Sequence, residues 1–171
     1  MATKISGISN AVSGWDGKLL SDLVEKHNRI IHICRDDARM DDLEGYVRFF
    51  APGLEILKIP AWDCLPYDRV SPNSGITSQR CFALSRIAEL DVNHTCLILI
   101  TVNAYLQRLP PLSFFKGMSV NLKLNKSYPL SELLLTLENG GYFRTDTVRE
   151  AGEFAVRLSL IHISEPTRPT P

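Results

Sequence analysis

The segment CLILITV, residues 96–102, is apolar along almost its whole length. Side chains of a strand point alternately to opposite faces, so a strand of this composition needs cover on both faces. Such strands are typical of parallel sheets with helices on either side. Two other short runs, RIIHIC and LEILKIP, have strand length and are rich in β-branched residues. The sequence therefore predicts an α/β fold with a parallel sheet.

Amphipathic helices are predicted before and between these strands, because apolar residues recur there with helical spacing. The three segments are WDGKLLSDLVEKH, DDARMDDLEGYVRFF and TSQRCFALSRIAEL. Asp36 and Asp37 suit the positive N-terminal end of the second helix. The positions expected to face the core are Leu19, Leu20, Leu23, Val24, Met40, Leu43, Val47, Phe50, Cys81, Leu84, Ile87 and Ala88.

A change of pattern near Pro110 and Pro111 predicts a boundary. We expect an α/β domain over residues 1–109, whose last helix begins near Asn103 and ends at these prolines. A small α+β unit is expected over 110–157. Its predicted elements are a half-exposed strand in MSVNLKLNK, a helix in LSELLLTLENGG and strands in YFRTDTV and GEFAVR.

Charge and composition exclude several classes of function. The 171 residues carry 19 basic and 19 acidic side chains, so no net charge attracts the chain to nucleic acid or anionic lipid. The apolar runs are far shorter than a membrane span, and MATKISGISN lacks the apolar centre of a signal peptide. Four cysteines without C-x-x-C spacing fit reduced, mostly buried thiols. We therefore expect a cytoplasmic protein without membrane contact.

The nearest approach to a nucleotide-binding motif is NAVSGWDGKLL. A P-loop needs G-x-x-x-x-G-K-[ST], in which backbone N–H groups and the lysine hold phosphates and the hydroxyl holds Mg²⁺. Val12 replaces the first glycine, Leu19 replaces the hydroxyl residue, and Asp16 would repel a phosphate. No cofactor is expected at this degenerate loop, which comprises Gly14, Gly17, Lys18 and Leu19.

Other catalytic or metal-binding patterns are missing from the sequence, which contains neither G-x-S-x-G nor H-E-x-x-H. His32 and Cys34 share one face of a predicted strand. They form either a packed pair in the core or a metal or nucleophile site, and packing is the ordinary role of such residues. We expect no catalytic residue and no bound metal.

The stretch PAWDCLPYDRVSPNSGITSQR, followed by a strand and TVNAYLQRLPP, carries a dense series of motifs. Their order resembles the N-terminal region of the bacterial transcription-repair coupling factor, or Mfd, family. The similarity runs from about Leu19 to Arg157, and includes GGYFRTDTVREAGEFAVR. The residues that match the family motifs are Trp62, Asp63, Leu65, Pro66, Tyr67, Asp68, Ser71, Pro72, Arg80, Gln107 and Arg108.

The resemblance implies a role. Members of the family are large ATP-driven DNA translocases that displace stalled RNA polymerase and recruit the damage sensor UvrA, and their N-terminal module is similar to part of UvrB. Residues 1–109 would then be a degenerate helicase-type, RecA-like domain, and residues 110–157 a UvrA-binding domain truncated at its C-terminal end. ATP, Mg²⁺, RNA polymerase and DNA would bind to motor and other domains outside this non-catalytic fragment, whose partners are UvrA and other domains of the full-length protein. The alternative is a UvrB-type nucleotide- or DNA-handling domain.

The same resemblance suggests which residues meet the partner. Arg157 stands at the family's Gly-Glu-aromatic-Ala-x-Arg position, and arginine forks make strong charge-assisted pairs. Arg144 and Arg149 are weaker candidates, because Phe143 occupies the place of the family's basic residue after Gly-Tyr. For each arginine, the alternative is a solvated charge at a strand edge.

For the motif loop itself, two roles are open. Trp62, Pro66 and Tyr67 either pin the loop over the sheet, with prolines reducing its freedom in the unfolded chain, or stack on bases beside Arg69. Packing is the favoured hypothesis.

The last segment, residues 158–171, departs from the family pattern. LIHISEPTRP resembles the translated read-through of sequencing adaptors, so we expect a non-native tail without a place in the fold. The alternative is a divergent natural end.

Overall fold

Helices and strands alternate along the first two thirds of the chain. The computed structural model describes residues 7, 12–64, 69, 71–116, 122–150, 152–157 and 160–163. Its elements, in chain order, are α1 (Trp15–His27), β1 (Arg29–Cys34), α2 (Asp37–Phe50), β2 (Glu55–Ile59), α3 (Ser74–Glu89), β3 (Cys96–Thr101), α4 (Val102–Tyr105), α5 (Leu112–Phe115), α6 (Leu130–Asn139), β4 (Phe143–Arg144), β5 (Glu153–Arg157) and β6 (Leu160–Ile163).

Strand β3 is the centre of a three-stranded parallel sheet with the order β1-β3-β2. All six residues of β3 are buried. Leu97 and Leu99 belong to a core shared with α1 and α2, whereas Ile98 and Ile100 belong to a core shared with α3. The predicted parallel α/β arrangement, with helices on both faces, is therefore confirmed.

Helices α1 and α2 approach each other closely at Gly17. A Cβ atom added to Gly17 would lie 2.5 Å from Cβ of Tyr46 and 3.1 Å from its backbone carbonyl carbon. Glycine is therefore required there by helix packing. Helix α2 begins as predicted, because the Asp36 side chain caps it by accepting from the Arg39 N–H at 2.8 Å. Phe50, predicted to be buried, is exposed at the end of α2.

Helix α3 differs from its prediction in start and in buried face. It begins at Ser74, where Asn73 caps it by accepting from the Gly75 N–H at 2.8 Å. Cys81, predicted to be buried, is exposed, and the neighbouring Arg80 is buried instead. The predicted helix near Asn103 is also shorter than expected, since α4 ends at Tyr105, well before Pro110.

The later part of the chain forms a second, smaller sheet with the order β4-β5-β6. β4 pairs with β5 in parallel, and β6 pairs with β5 antiparallel. The predicted helix and the two predicted strands are present as α6, β4 and β5. The strand predicted in MSVNLKLNK does not form over residues 122–126, which turn instead, and 118–121 lie outside the described residues.

The core of the parallel sheet extends past the predicted boundary at 109/110. Phe115 in α5 packs into this core, so the packing of the first sheet continues beyond residue 109. The tail was expected to have no place in the fold, but residues 160–163 form strand β6. The division itself and the foreign origin of 158–171 stay predictions.

A cluster of charged groups ties α3 to the sheet. Arg86 donates to both carboxylate oxygens of Glu55, at 2.7 and 3.2 Å, and the His94 ring nitrogen Nε2 lies 2.5 Å from Glu55 Oε2. Burial opposes ionisation of Glu55, but the hydrogen bonds from Arg86 and His94 outweigh it and lower the pKa of that carboxyl.

Replacing Gly17 by alanine should destabilise the chain by about 1–3 kcal/mol, because the added methyl forces α1 and α2 apart. Urea denaturation measures the change. Gly45→Ala, in the middle of α2, is the control, since nothing lies within 4 Å of a Cβ atom added there. It should leave stability unchanged or raise it by up to about 1 kcal/mol. A Gly17→Ala variant as stable as the parent would contradict the close packing.

Glu55→Gln should lower stability by about 1 kcal/mol or less at neutral pH, as partly exposed ion pairs do. Since folding lowers the pKa of Glu55 below its ordinary value of 4.5, its contribution is complete above pH 4.5 and is lost as the pH falls through the folded pKa. The gap in unfolding free energy between parent and variant should therefore close in acid. A gap independent of pH down to about pH 3 would refute this role.

Candidate functional site

The small sheet presents the residues predicted to meet a partner. β5 is its central strand, and Phe154 in β5 is completely buried. In register, Arg144 of β4 lies opposite Phe154, and Phe143 lies opposite Glu153. Directly opposed residues point to the same face of a sheet, and faces alternate along each strand. One face therefore carries Phe143, Glu153, Ala155 and Arg157, which we call the Arg157 face.

Arg157 is exposed at the last position of β5. Its Nη2 donates to the Asp146 carbonyl oxygen at 3.2 Å and to Thr147 Oγ1 at 3.3 Å. These two bonds hold the side chain against the loop that follows β4. Among the described residues Arg157 forms no ion pair, and a guanidinium has five N–H donors. The cation is thus held in position, without an ion-pair partner in the part of the chain that the structure describes, and available to a carboxylate.

The structure does not bring the three predicted arginines together. Arg144 points to the face of Phe154, opposite to the Arg157 face. Arg149 lies exposed in the loop before β5, where its backbone N–H donates to Glu153 Oε2 at 2.7 Å. That bond, and a second one from the Glu150 N–H, lower the pKa of Glu153.

Sequence reasoning did not select Phe143 as a contact residue. Its side chain is 75% exposed, although phenylalanine is normally buried. Only the pairing of β4 with β5 shows that it shares a face with Arg157. A strand of two residues gives no periodic signal from which this placement could have been inferred.

The motif loop after β2 is held by Arg80. This side chain is 2% exposed, its guanidinium carbon lies 4.4 Å from the ring centroid of Trp62, and its Nη1 donates to the Pro60 carbonyl oxygen. Burial lowers the pKa of Arg80, and the described residues offer no partner to its Nε. The guanidinium occupies one face of the Trp62 ring, which favours packing over base stacking at this residue.

Among the other motif residues that the structure describes, Asp63 has a clear structural contact. Both carboxylate oxygens of Asp63 accept from the Asn73 N–H, at 3.1 and 3.3 Å, and so close the loop just before α3. Gln107 is half-buried and Arg108 is exposed. Pro66, Tyr67 and Asp68 lie outside the described residues, so the part of the packing hypothesis that concerns them stays a prediction.

The residues of the degenerate loop lie at the start of helix α1 and within its first turns. Gly14 precedes the helix with a φ of 85°, and Gly17 is used in the contact with α2. The Lys18 ammonium pairs with Asp22 one turn further along the helix, and Leu19 has no hydroxyl for Mg²⁺. An open cleft of about 500 Å³ beside these residues is lined mainly by Val12, Trp15, Tyr46, Phe49 and Phe50. The position thus presents apolar side chains and a paired lysine.

His32 and Cys34 share the face of β1 that packs toward α1 and α2. Burial lowers the pKa of His32 and raises the pKa of the Cys34 thiol to about 11, so both groups are neutral near pH 7. Within the described ranges, no three His, Cys, Asp or Glu side chains are grouped to hold a metal ion. No helix in those ranges is both long enough and apolar enough to cross a bilayer.

Comparison with known proteins gives a consistent set of relatives. No family model matches the chain. It is 28% identical over 146 residues to the transcription-repair-coupling factor of Escherichia coli (strain K12), a match that covers 85% of this chain and 12% of the relative. It is 34% identical over 119 residues to the protein of that name in Rickettsia prowazekii, a match that covers 69% of this chain and 10% of the relative. The Myxococcus xanthus protein of that name is 25% identical over 143 residues, a match that covers 80% of this chain and 12% of the relative. The chain thus spans about a tenth of the length of these relatives.

We expect no binding of ATP, because Lys18 is paired, Gly17 is a packing contact and Leu19 replaces the magnesium-binding hydroxyl. Calorimetric titration of the chain with Mg²⁺-ATP should give only the heat of dilution. A saturable isotherm of micromolar affinity that Lys18→Ala abolishes would show that the loop still binds phosphates.

Proposed function

The chain belongs to the transcription-repair coupling factor family, and on that premise we propose that it is a non-catalytic module that recruits UvrA for nucleotide excision repair. The observation that carries the proposal is the exposed guanidinium of Arg157, held at the end of β5 by two hydrogen bonds and without an ion pair among the described residues. A fixed arginine can pair with a carboxylate while losing little conformational freedom. Arg157 is therefore the proposed centre of the contact.

The two units of the chain have different parts in this proposal. The parallel sheet with its motif loop is a scaffold, and the small sheet carries the binding face. ATP, Mg²⁺, RNA polymerase and DNA are proposed to bind to domains of the full-length protein outside this chain. Some of those domains are proposed to pack against the binding face and mask it until UvrA is needed.

The alternative, a nucleotide- or DNA-handling domain of UvrB type, has less support. The phosphate-binding features are missing at Gly17, Lys18 and Leu19. Basic and acidic residues balance, at 19 each, so any DNA contact would depend on a local basic surface. Submicromolar affinity for duplex DNA, falling steeply with added salt, would favour this alternative over recruitment of UvrA.

Arg157→Ala should weaken binding of the chain to UvrA by roughly 1.5–3 kcal/mol, or about 10- to 150-fold, because it removes a charge-assisted pair. Isothermal calorimetry with purified UvrA measures the loss. Arg144→Ala is the matched control, since it removes the same charge from the opposite face of the same sheet. It should change the affinity by less than about threefold.

The melting temperature of each variant should be measured by calorimetry together with the affinity. An exposed strand-end arginine contributes within about half a kcal/mol to stability, so the melting temperature should barely move. Unchanged affinity would remove Arg157 from the contact, and a large fall in melting temperature would assign it a structural role. Failure of the parent chain to bind UvrA would refute the proposed function.

A further inference from the structure

We infer that Phe143 is the apolar anchor of the UvrA contact, and that the chain recognises a partner surface carrying both an exposed apolar side chain and a carboxylate. This inference rests on the proposed function. Phe143 is 75% exposed in an edge strand, on the same face of the small sheet as Arg157. The chain would therefore combine an aromatic contact with a charge pair.

The geometry of the sheet supports a contact with two separate parts, one apolar and one charged. Phe143 lies opposite Glu153, and Arg157 is four residues further along β5, which corresponds to roughly 13 Å. Between them on the same face is Ala155, whose small side chain is buried. The Arg157 face thus has an aromatic ring at one end and a cation at the other, with Ala155 and its register partner His162 of β6 between them. A partner segment about four strand residues long would reach both.

The charges on this face indicate how the partner is oriented. The Glu153 carboxylate beside Phe143 accepts from the N–H groups of Arg149 and Glu150, at 2.7 and 3.1 Å. It remains negative, so it repels an acidic group at the Phe143 end. Arg157 attracts an acidic group at the other end, since it has no ion pair among the described residues. The partner's carboxylate therefore meets Arg157, and its apolar side chain meets Phe143.

An aromatic residue of this kind is typical of binding hot spots, where desolvation of a large apolar side chain strengthens a neighbouring charge pair. The two aromatic residues of this sheet differ in role, because Phe154 on the reverse face is completely buried whereas Phe143 is exposed. Arg144, which points to that reverse face, is not part of the contact. Phe143 replaces it as the second recognition residue beside Arg157.

Phe143→Ala should weaken UvrA binding of the complete 171-residue chain by about tenfold, a typical loss for an interface aromatic. Phe49→Ala is the matched control, since Phe49 is 80% exposed on α2, in the first unit. It should change the affinity by less than about twofold. Phe143→Leu should retain most of the affinity, because it keeps an apolar contact.

A second measurement does not depend on how well the alanine variant folds. A photoreactive phenylalanine analogue introduced at position 143 should form a covalent cross-link to UvrA, and the same analogue at position 49 should not. If the parent binds and Arg157→Ala weakens binding, but Phe143→Ala behaves like Phe49→Ala and position 143 gives no cross-link, the inference is wrong and the proposed function stands. If the parent itself does not bind UvrA, the proposed function fails first.

Discussion

The burial of strand β3 is the constraint on which the parallel sheet and its helices depend. Its residues are shielded on both faces and its backbone is paired on both edges, so helices and strands are needed on every side of it. Three strands about 4.8 Å apart make a sheet only roughly 14 Å wide, while packed helices lie about 8–10 Å apart. Two helices can share one face of so narrow a sheet only by close approach. The contact between Gly17 and Tyr46 provides it.

This constraint explains how a glycine-lysine pair can remain without a nucleotide. The glycine that a motif search would assign to a phosphate loop is the residue that lets α1 pack against α2. The lysine next to it is compensated by an aspartate of the same helix. Both residues have structural roles in the folded chain that need no ligand, so their presence is weak evidence for nucleotide binding or catalysis.

The alternation of helices and strands was predictable because it depends on local sequence, namely the helical spacing of apolar residues in α1 and α2 and the continuous apolar run of β3. The burial of Arg80 in place of Cys81 was not predictable, because it depends on a contact with Trp62 that is distant in sequence. The face of the small sheet to which each candidate side chain points could not be predicted from the sequence either. It depends on the register between β4 and β5, and a shift of one residue exchanges the two faces. For this reason Arg157 could be selected from the sequence, whereas Phe143 could not.

The two tryptophans have a practical consequence for experiments on this chain. Trp15 is half-exposed at the start of α1, and Trp62 lies under the guanidinium of Arg80. Both lie in the part of the chain that forms the parallel sheet, its helices and the motif loop, and the sequence from residue 110 onward contains no tryptophan. Intrinsic indole fluorescence therefore follows the parallel sheet and its loop, and gives no direct signal from the small sheet. A fluorescence melting curve could look unchanged while the strands around Arg157 had already come apart.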